Sequence, residues 1–245
     1  MSKNKEIWDT KDNAEAYEQY VRNFAMYQGT SKDLIETADI QPGMTVVDLA
    51  AGTGATTQAI LDKTGGDVSV IAIDQAEEML NKAKEKFRNK HVRFIVSQAE
   101  NLHESIKGKV DAVVSNSAFW QMDPRATFQS VSRILRPAGI LAFNLPDQFF
   151  NHPDFDNKYK KSARYGLDDL IAWAQEAGFS LSSQSVKTYA QTADGIIAFF
   201  DIPVMRRNFK TEEERQKRIA HIKSLPKGAV LTGQWAYFVF VKEAE

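Results

Sequence analysis

Val46-Val47-Asp48-Leu49-Ala50-Ala51-Gly52-Thr53-Gly54 is the stretch that decides the fold. A short β-branched run ends in an acid, then in small residues and two glycines, and a helix-like segment, 55–63, follows. Strand, tight turn and helix N-terminus in that order make the ligand corner of a doubly wound sheet, where ligands sit at the carboxyl ends of the strands. The glycines let the backbone turn sharply and approach a ligand with no Cβ in the way. A dinucleotide fingerprint needs a third glycine where Thr57 stands, and a P-loop needs Gly-Lys-Ser/Thr at the helix start, whereas no basic residue precedes Lys63 in this helix. The corner reads as built for a nucleoside without a pyrophosphate.

Working outward, strands are expected at 44–49, 68–73, 92–96, 110–115 and 140–144, with helices at 54–63, 75–88 and 124–135 between them. Apolar strands alternating with helices give a parallel sheet covered on both faces, and right-handed crossovers put every loop after a strand on one edge. Asp48, Gly52, Asp74, Gln98 and Asn116 are therefore expected in one cleft. Upstream, Ala14, Tyr17, Tyr20, Val21 and Phe24 at helical spacing predict a helix over 13–27 with Asn13 as its cap. Its aromatic stripe is read either as plain packing or as a lid closing over a ligand. A second helix, 31–38, ends before the turn Gln41-Pro42-Gly43.

Downstream, 146–165 reads as a polar, aromatic-rich connection (Phe149, Phe150, His152, Phe155, Tyr159, Tyr165). Helix 167–177, strand 179–187 and a last strand 234–242 follow. The interval 188–230 is too long for a connecting loop, so it reads as an inserted subdomain. Helices at about 192–209 and 212–224 are expected in it, the second opened by the capping-box pattern Thr211-Glu212-Glu213-Glu214.

Composition narrows the function classes. The 245 residues suffice for a large core, and a net charge of -1 gives no whole-surface attraction to nucleic acid or anionic membrane. There is no cysteine, which excludes disulfides, thiolate metal sites and a cysteine nucleophile. Met1–Glu6 has no apolar region, and no run approaches the ~18 apolar residues of a membrane span, so a cytoplasmic protein with no membrane partner is expected.

With these residues in place, the chain resembles a class I S-adenosylmethionine (SAM)-dependent methyltransferase. It is most similar to the small-molecule group of ubiquinone/menaquinone-type and malonyl-carrier-protein-type enzymes. The resemblance rests on Val47–Gly54, on Ile73-Asp74, on Gln98-Ala99-Glu100-Asn101-Leu102 and on Arg133-Ile134-Leu135-Arg136-Pro137-Ala138-Gly139-Ile140-Leu141, in that order and spacing. It implies an α/β fold with a doubly wound, seven-stranded, mostly parallel sheet. It also implies an N-terminal helical lid (1–40), a SAM-binding Rossmann-like core (41–187), a helical cap insertion (188–230) and a final core strand (231–245).

The resemblance assigns roles position by position. Asp48, Ala50, Gly52 and Gly54 cradle the methionine part, and Asp74 accepts from the ribose hydroxyls, the competing reading being a helix cap. Gln75 and Met79 flank the adenine, Gln98 and Ala99 read its amino group, Asn116 and Ser117 line the methionine end, and Tyr17 and Tyr20 close over the ligand. Ala50 replaces a commoner glycine, tolerable if its φ stays negative, and Gln98 replaces a frequent aspartate. Trp120 stands where many relatives carry a histidine. No metal ligand set is expected.

Methyl transfer is an in-line displacement that needs alignment and exclusion of water, with a general base only for some acceptors. His152 and His221 are the candidate bases; His91 and His103 fall away from the cleft, and Trp120 and Phe119 are candidate acceptor walls. In the insertion, Arg206, Arg207, Lys210, Arg215, Lys217, Arg218 and Lys223 form either a solvated surface or a face for an anionic or carrier-bound acceptor. Tyr189, Phe199, Phe200 and Phe209 are candidate walls of an apolar pocket. The competing functions are a nicotinamide oxidoreductase, disfavoured by Thr57, and a non-catalytic SAM-binding module. Nucleic-acid methylation is disfavoured because Asn116-Ser117-Ala118-Phe119 lacks the prolines of the amino-methylating DNA enzymes.

Overall fold

The computed structural model describes residues 7–88, 91–147, 150, 152–154, 165–226 and 229–244; Phe149, Phe155 and Tyr159 of the aromatic connection lie outside them. Seven strands, β1 (Thr45–Leu49), β2 (Ser69–Asp74), β3 (Val92–Val96), β4 (Val110–Ser115), β5 (Leu135–Pro146), β6 (Phe179–Gln191) and β7 (Leu231–Lys242), form one sheet in the order β3-β2-β1-β4-β5-β7-β6. Only β7 runs antiparallel to its neighbours. This is the expected doubly wound sheet, with β1 and β4 adjacent at the point where the strand order reverses, so a crevice opens beyond their carboxyl ends.

Adjacent residues of a strand point to opposite faces, which divides the core in two. Val46, Val70, Ala112 and Val239 face α2 (Met26–Thr37) and α3 (Ala55–Lys63) through Leu34, Ile35 and Ile60. Val47, Ile71, Val113 and Phe240 face α6 (Pro124–Ile134) and α7 (Leu167–Glu176) through Phe128, Val131 and Leu170, with the short α5 (Leu102–Ser105) alongside. This second face is aromatic: Phe119 stacks on Phe143 at 3.9 Å between centroids, and Phe128 meets Phe143 and Phe240 edge-on.

An N-terminal helix and the segment between β6 and β7 form a roof over the crevice. α1 (Lys11–Asn23) is clamped to α4 (Glu77–Lys86) by Glu15–Lys82 at 2.5 Å, by buried Glu18–Lys86 at 2.8 Å, and by the Glu78 N–H donating to Asp9 at 2.9 Å. Between β6 and β7 stand α8 (Ala193–Asp201), α9 (Pro203–Arg206) and α10 (Glu212–Lys223).

Several expected bounds change, each for a local reason. The helix expected at 13–27 breaks at Phe24, which is extended (φ -129°, ψ 126°), and α2 starts two residues later. Thr10, not Asn13, caps α1; Asn13 is buried and its amide donates to the Ile7 carbonyl and Thr10 Oγ1 while accepting from the Val204 N–H. The helix expected at 192–209 is cut at Ile202 (ψ 127°) because Pro203 bars the preceding residue from helical backbone. β6 and β7 pair from Phe179↔Lys242 to Gln191↔Leu231, longer than the polar residues 188–191 indicated, because an edge strand tolerates polar side chains.

Gly54 starts α3 at φ +89°, and a Cβ there would stand 2.5 Å from the Phe87 ring. Gly54→Ala is therefore expected to cost about 2 kcal/mol in left-handed strain and overpacking. Urea denaturation measures this, and a Phe87→Leu background should recover the overpacking part.

Candidate active site

The glycine turn and the tip of β2 are tied directly. The Gly52 N–H donates to Asp74 Oδ2 at 2.9 Å and the Ala76 N–H to Asp74 Oδ1 at 2.9 Å, while the Ala51 N–H reaches the Ile73 carbonyl at 2.9 Å. Asp74 thus also organises the approach to α4, and its carboxyl is raised above the ordinary carboxylate range by burial. The turn is left-handed at Ala50 (φ 57°), Gly52 (φ 54°) and Gly54. The expectation of a negative φ at Ala50 is overturned: the reversal needs αL backbone there, and alanine meets it at a cost of ~1 kcal/mol.

Behind the turn, Asp48 is 1% exposed and accepts from Thr57 Oγ1 at 2.6 Å. Its other oxygen, Oδ1, has no hydrogen-bond partner among the described residues. Burial pushes this carboxyl up to about 7, with the Thr57 hydrogen bonds opposing. A buried carboxylate oxygen with no donor is costly unless a cation or a water meets it. With the turn's close-approach backbone and a carboxylate at the next strand tip, these residues fit a nucleoside that carries an ammonium group.

A cavity of about 1120 Å³ joins this corner to a chamber under the insertion. Its inner wall includes Ala50, Gly52, Asp74, Gln75, Met79 and Ala99, roofed by Trp8, Tyr17, Tyr20 and Tyr27. A Cβ on Gly52 would lie 3.7 Å from the Tyr17 ring, so Tyr17 covers the turn directly. Burial raises the Tyr17 phenol well above its ordinary value and pushes Tyr27 up to about 12, so both stay protonated and act as donors near neutral pH. Trp8 donates to Gln121 at 2.9 Å and crosses Tyr17 edge-on, closing the roof onto the loop after β4.

That loop is held by an asparagine pair. Asn144 accepts from the Ser117 N–H at 2.6 Å and donates to Asn116 Oδ1 at 2.7 Å, and Asn116 donates to Thr30 and Ser31 of α2. The Trp235 indole donates to Ser117 Oγ and the Trp120 indole to the Ser117 carbonyl, both at 2.9 Å. Ser117 is itself left-handed (φ 57°) and stays so because these bonds fix it. Asn116, Ser117 and Trp120 all line the cavity.

Other candidates lie elsewhere. Asp48 and Gly54 stand behind the wall rather than on it, Gly54 against Phe87, and the Gln98 side chain does not line the cavity although Ala99 does. His152 is 3% exposed, packed on Phe150 and Phe238 in the aromatic face. Phe119 is a core residue, and Tyr189 bonds Asp33 and Tyr237 instead of walling the pocket. His221 reaches the cavity, with Lys217 and Arg218, but Arg206 and Arg207 do not, and Arg215 is locked to Asp201 and Glu212. Trp8, Met26, Tyr27 and Ile196 were not anticipated. Trp8 carries a legible signal, an aromatic in an otherwise polar N-terminal stretch.

A family model described as "Methyltransferase domain" matches residues 40–218. A malonyl-[acyl-carrier protein] O-methyltransferase of Acetivibrio thermocellus is 27% identical over 192 residues, 76% of this chain and 64% of that protein. A ubiquinone/menaquinone biosynthesis C-methyltransferase of Shewanella woodyi is 29% identical over 133 residues, 51% of this chain and 53% of that protein. The chain thus spans less than two thirds of the length of these curated relatives. A structure of Haemonchus contortus phosphoethanolamine N-methyltransferase 2 with SAM shares the fold at a TM-score of 0.65 and 16% identity, over 100% of this chain and 61% of that one. With the family model covering most of its length, the chain belongs to the methyltransferase-domain family, and its seven-stranded sheet is the fold it shares with the structure compared above.

Proposed function

We propose that the chain moves a methyl group from SAM to a hydroxyl or carboxylate oxygen of a small-molecule acceptor in the outer chamber. The observation that carries this reading is the continuity of one cavity from the glycine turn to the aromatic chamber. At about 1120 Å³ it exceeds the ~300–1,000 Å³ of an ordinary single-ligand site, which leaves room for two molecules side by side. A SAM-binding module without catalysis would have no use for that second space.

When bound, SAM supplies an electrophilic methyl group on a sulfonium. In this reading Asp74 accepts from the ribose hydroxyls, Gln75 and Met79 flank the adenine, and Ala99 meets its amino edge. Asp48 Oδ1, behind the wall, balances the ammonium through water. Tyr17, Tyr20 and Trp8 exclude water from above, and the fixed Asn116-Ser117 loop aligns the acceptor, which is the main contribution the chemistry requires. No histidine is assigned as base: His152 is in the core and His221 lines the insertion side. A carboxylate acceptor needs no base. The second reading, esterification of an acyl group on a carrier protein, is favoured by exposed Lys217 and Arg218 lining the same cavity. Neither nucleic acid nor membrane is a partner in this reading.

Calorimetric titration is expected to show SAM binding and no NAD binding, with Asp74→Ala weakening SAM at least about tenfold through the lost charge-assisted bonds. Unchanged affinity in Asp74→Ala removes the ribose assignment. Asp48 gives a pH test. Its carboxyl titrates near 7 when folded against ~3.9 unfolded, so the folded chain holds this proton longer. Its contribution to stability is full below about pH 4 and is lost as pH rises to about 7. A bound ammonium favours the ionised form, so SAM affinity should climb through about pH 7 and level off above it. In Asp48→Asn both pH slopes should flatten, read by calorimetry and urea denaturation; a SAM titration with wild-type slope would rule out the ammonium role.

A further inference from the structure

Resting on the methyl-transfer reading, we propose that the acceptor is an amphipathic anion. Its charged end is anchored by Arg218 and Lys217 of α10, and its methyl-accepting group lies at the opposite end, inside the chamber.

The geometry begins with how α10 is set. Arg215, Ile219 and Ile222 form its buried side. Arg215 grips Glu212 through two bonds, at 2.6 and 2.8 Å, and reaches Asp201 at the end of α8 at 2.5 Å. That fork fixes the rotation of the helix. Glu214, Lys217, Arg218 and His221, at helical spacing, then form a stripe that lines the cavity while remaining exposed. Ile196, Phe199 and Phe200 of α8, with Phe209, line the same cavity.

The stripe sets Lys217 and Arg218 against Glu214. Glu214 is engaged by the Lys210 N–H at 2.8 Å as part of the helix start. Lys217 pairs with Glu213, both about three-quarters exposed, so that pair is screened by solvent. Arg218 makes no ion pair among the described residues. A guanidinium and an ammonium at adjacent positions, lining one cavity with Phe199, Phe200 and Phe209, suit a carboxylate, sulfonate or phosphate on an apolar body.

The stripe and the glycine-turn corner line the same cavity. Tyr17 covers Gly52; Tyr20, one turn along α1, packs on Phe199 at 5.4 Å; and α10 joins α8 from beyond. The contacts that link the corner to α10 run through α1 and α8, and on that path we assign the anion held by α10 as an anchor and not as the atom that receives the methyl group. The acceptor class is an extended or planar apolar acid with its nucleophilic group at the far end from the charge.

Anilinonaphthalenesulfonate, an aromatic anion, and phenylnaphthylamine, its neutral counterpart, test this by fluorescence titration of the full chain. The expected result is tighter binding of the anion, lost by about tenfold in Lys217→Ala/Arg218→Ala with binding of the neutral probe unchanged. The cations outside the cavity serve as controls: Arg206→Ala/Arg207→Ala should bind both probes as the parent does. Equal binding of the two probes by the parent, absent binding of the anion, wild-type behaviour of the Lys217/Arg218 variant, or an equal loss in the Arg206/Arg207 variant each overturns the anchor. SAM affinity measured on the same proteins reports separately on the methyl-transfer reading, since neither pair of substitutions touches the glycine-turn corner.

Discussion

The bond from the Gly52 N–H to Asp74 holds the rest of the site in register. It joins the turn after β1 to the tip of β2 at the crevice of the sheet, and the same carboxylate takes the Ala76 N–H ahead of α4. One side chain therefore sets the shape of the turn, the start of a helix and the negative charge on the cavity wall. Loosening it would shift the backbone that must approach a ligand most closely.

Strain collects along this edge of the sheet. Ala50 and Ser117, at the turns after β1 and β4, both adopt left-handed backbone without being glycine. Each is stabilised from a neighbouring strand: the Ala51 N–H bonds to Ile73 at the end of β2, and Ser117 is tied by Asn144 of β5 and Trp235 of β7. The aromatic face beneath, with Phe119 stacked on Phe143, gives those strands a rigid floor. Packing of the core and precision of the site are thus connected through particular residues.

The glycine turn, the alternation of strands and helices and the acid ending β2 were all legible, because each is a local pattern with one physical solution. Asp74 lines the cavity for that reason, whereas Met79, Ser117 and Trp120, which also line it, were placed there by the resemblance. What was not legible depends on packing at long range. Asn13 has the spacing of a cap, but its amide is captured by Val204, 191 positions away. His152 has the chemistry of a base, but Phe150 and Phe238 bury it. Among the cations of the insertion, composition cannot separate Arg215, spent on Asp201 and Glu212, from Arg218, which faces the cavity; the rotation of α10 does.

Asn13 carries one more consequence. By holding the Ile7 carbonyl, the Thr10 hydroxyl and the Val204 amide at once, it welds α1 to a helix almost two hundred positions later. Tyr20 against Phe199 continues the seam. The cover over the nucleoside corner and the cover over the outer chamber are consequently joined to each other as well as to the sheet. Displacing either cover would therefore strain the other through Asn13 and the Tyr20–Phe199 contact.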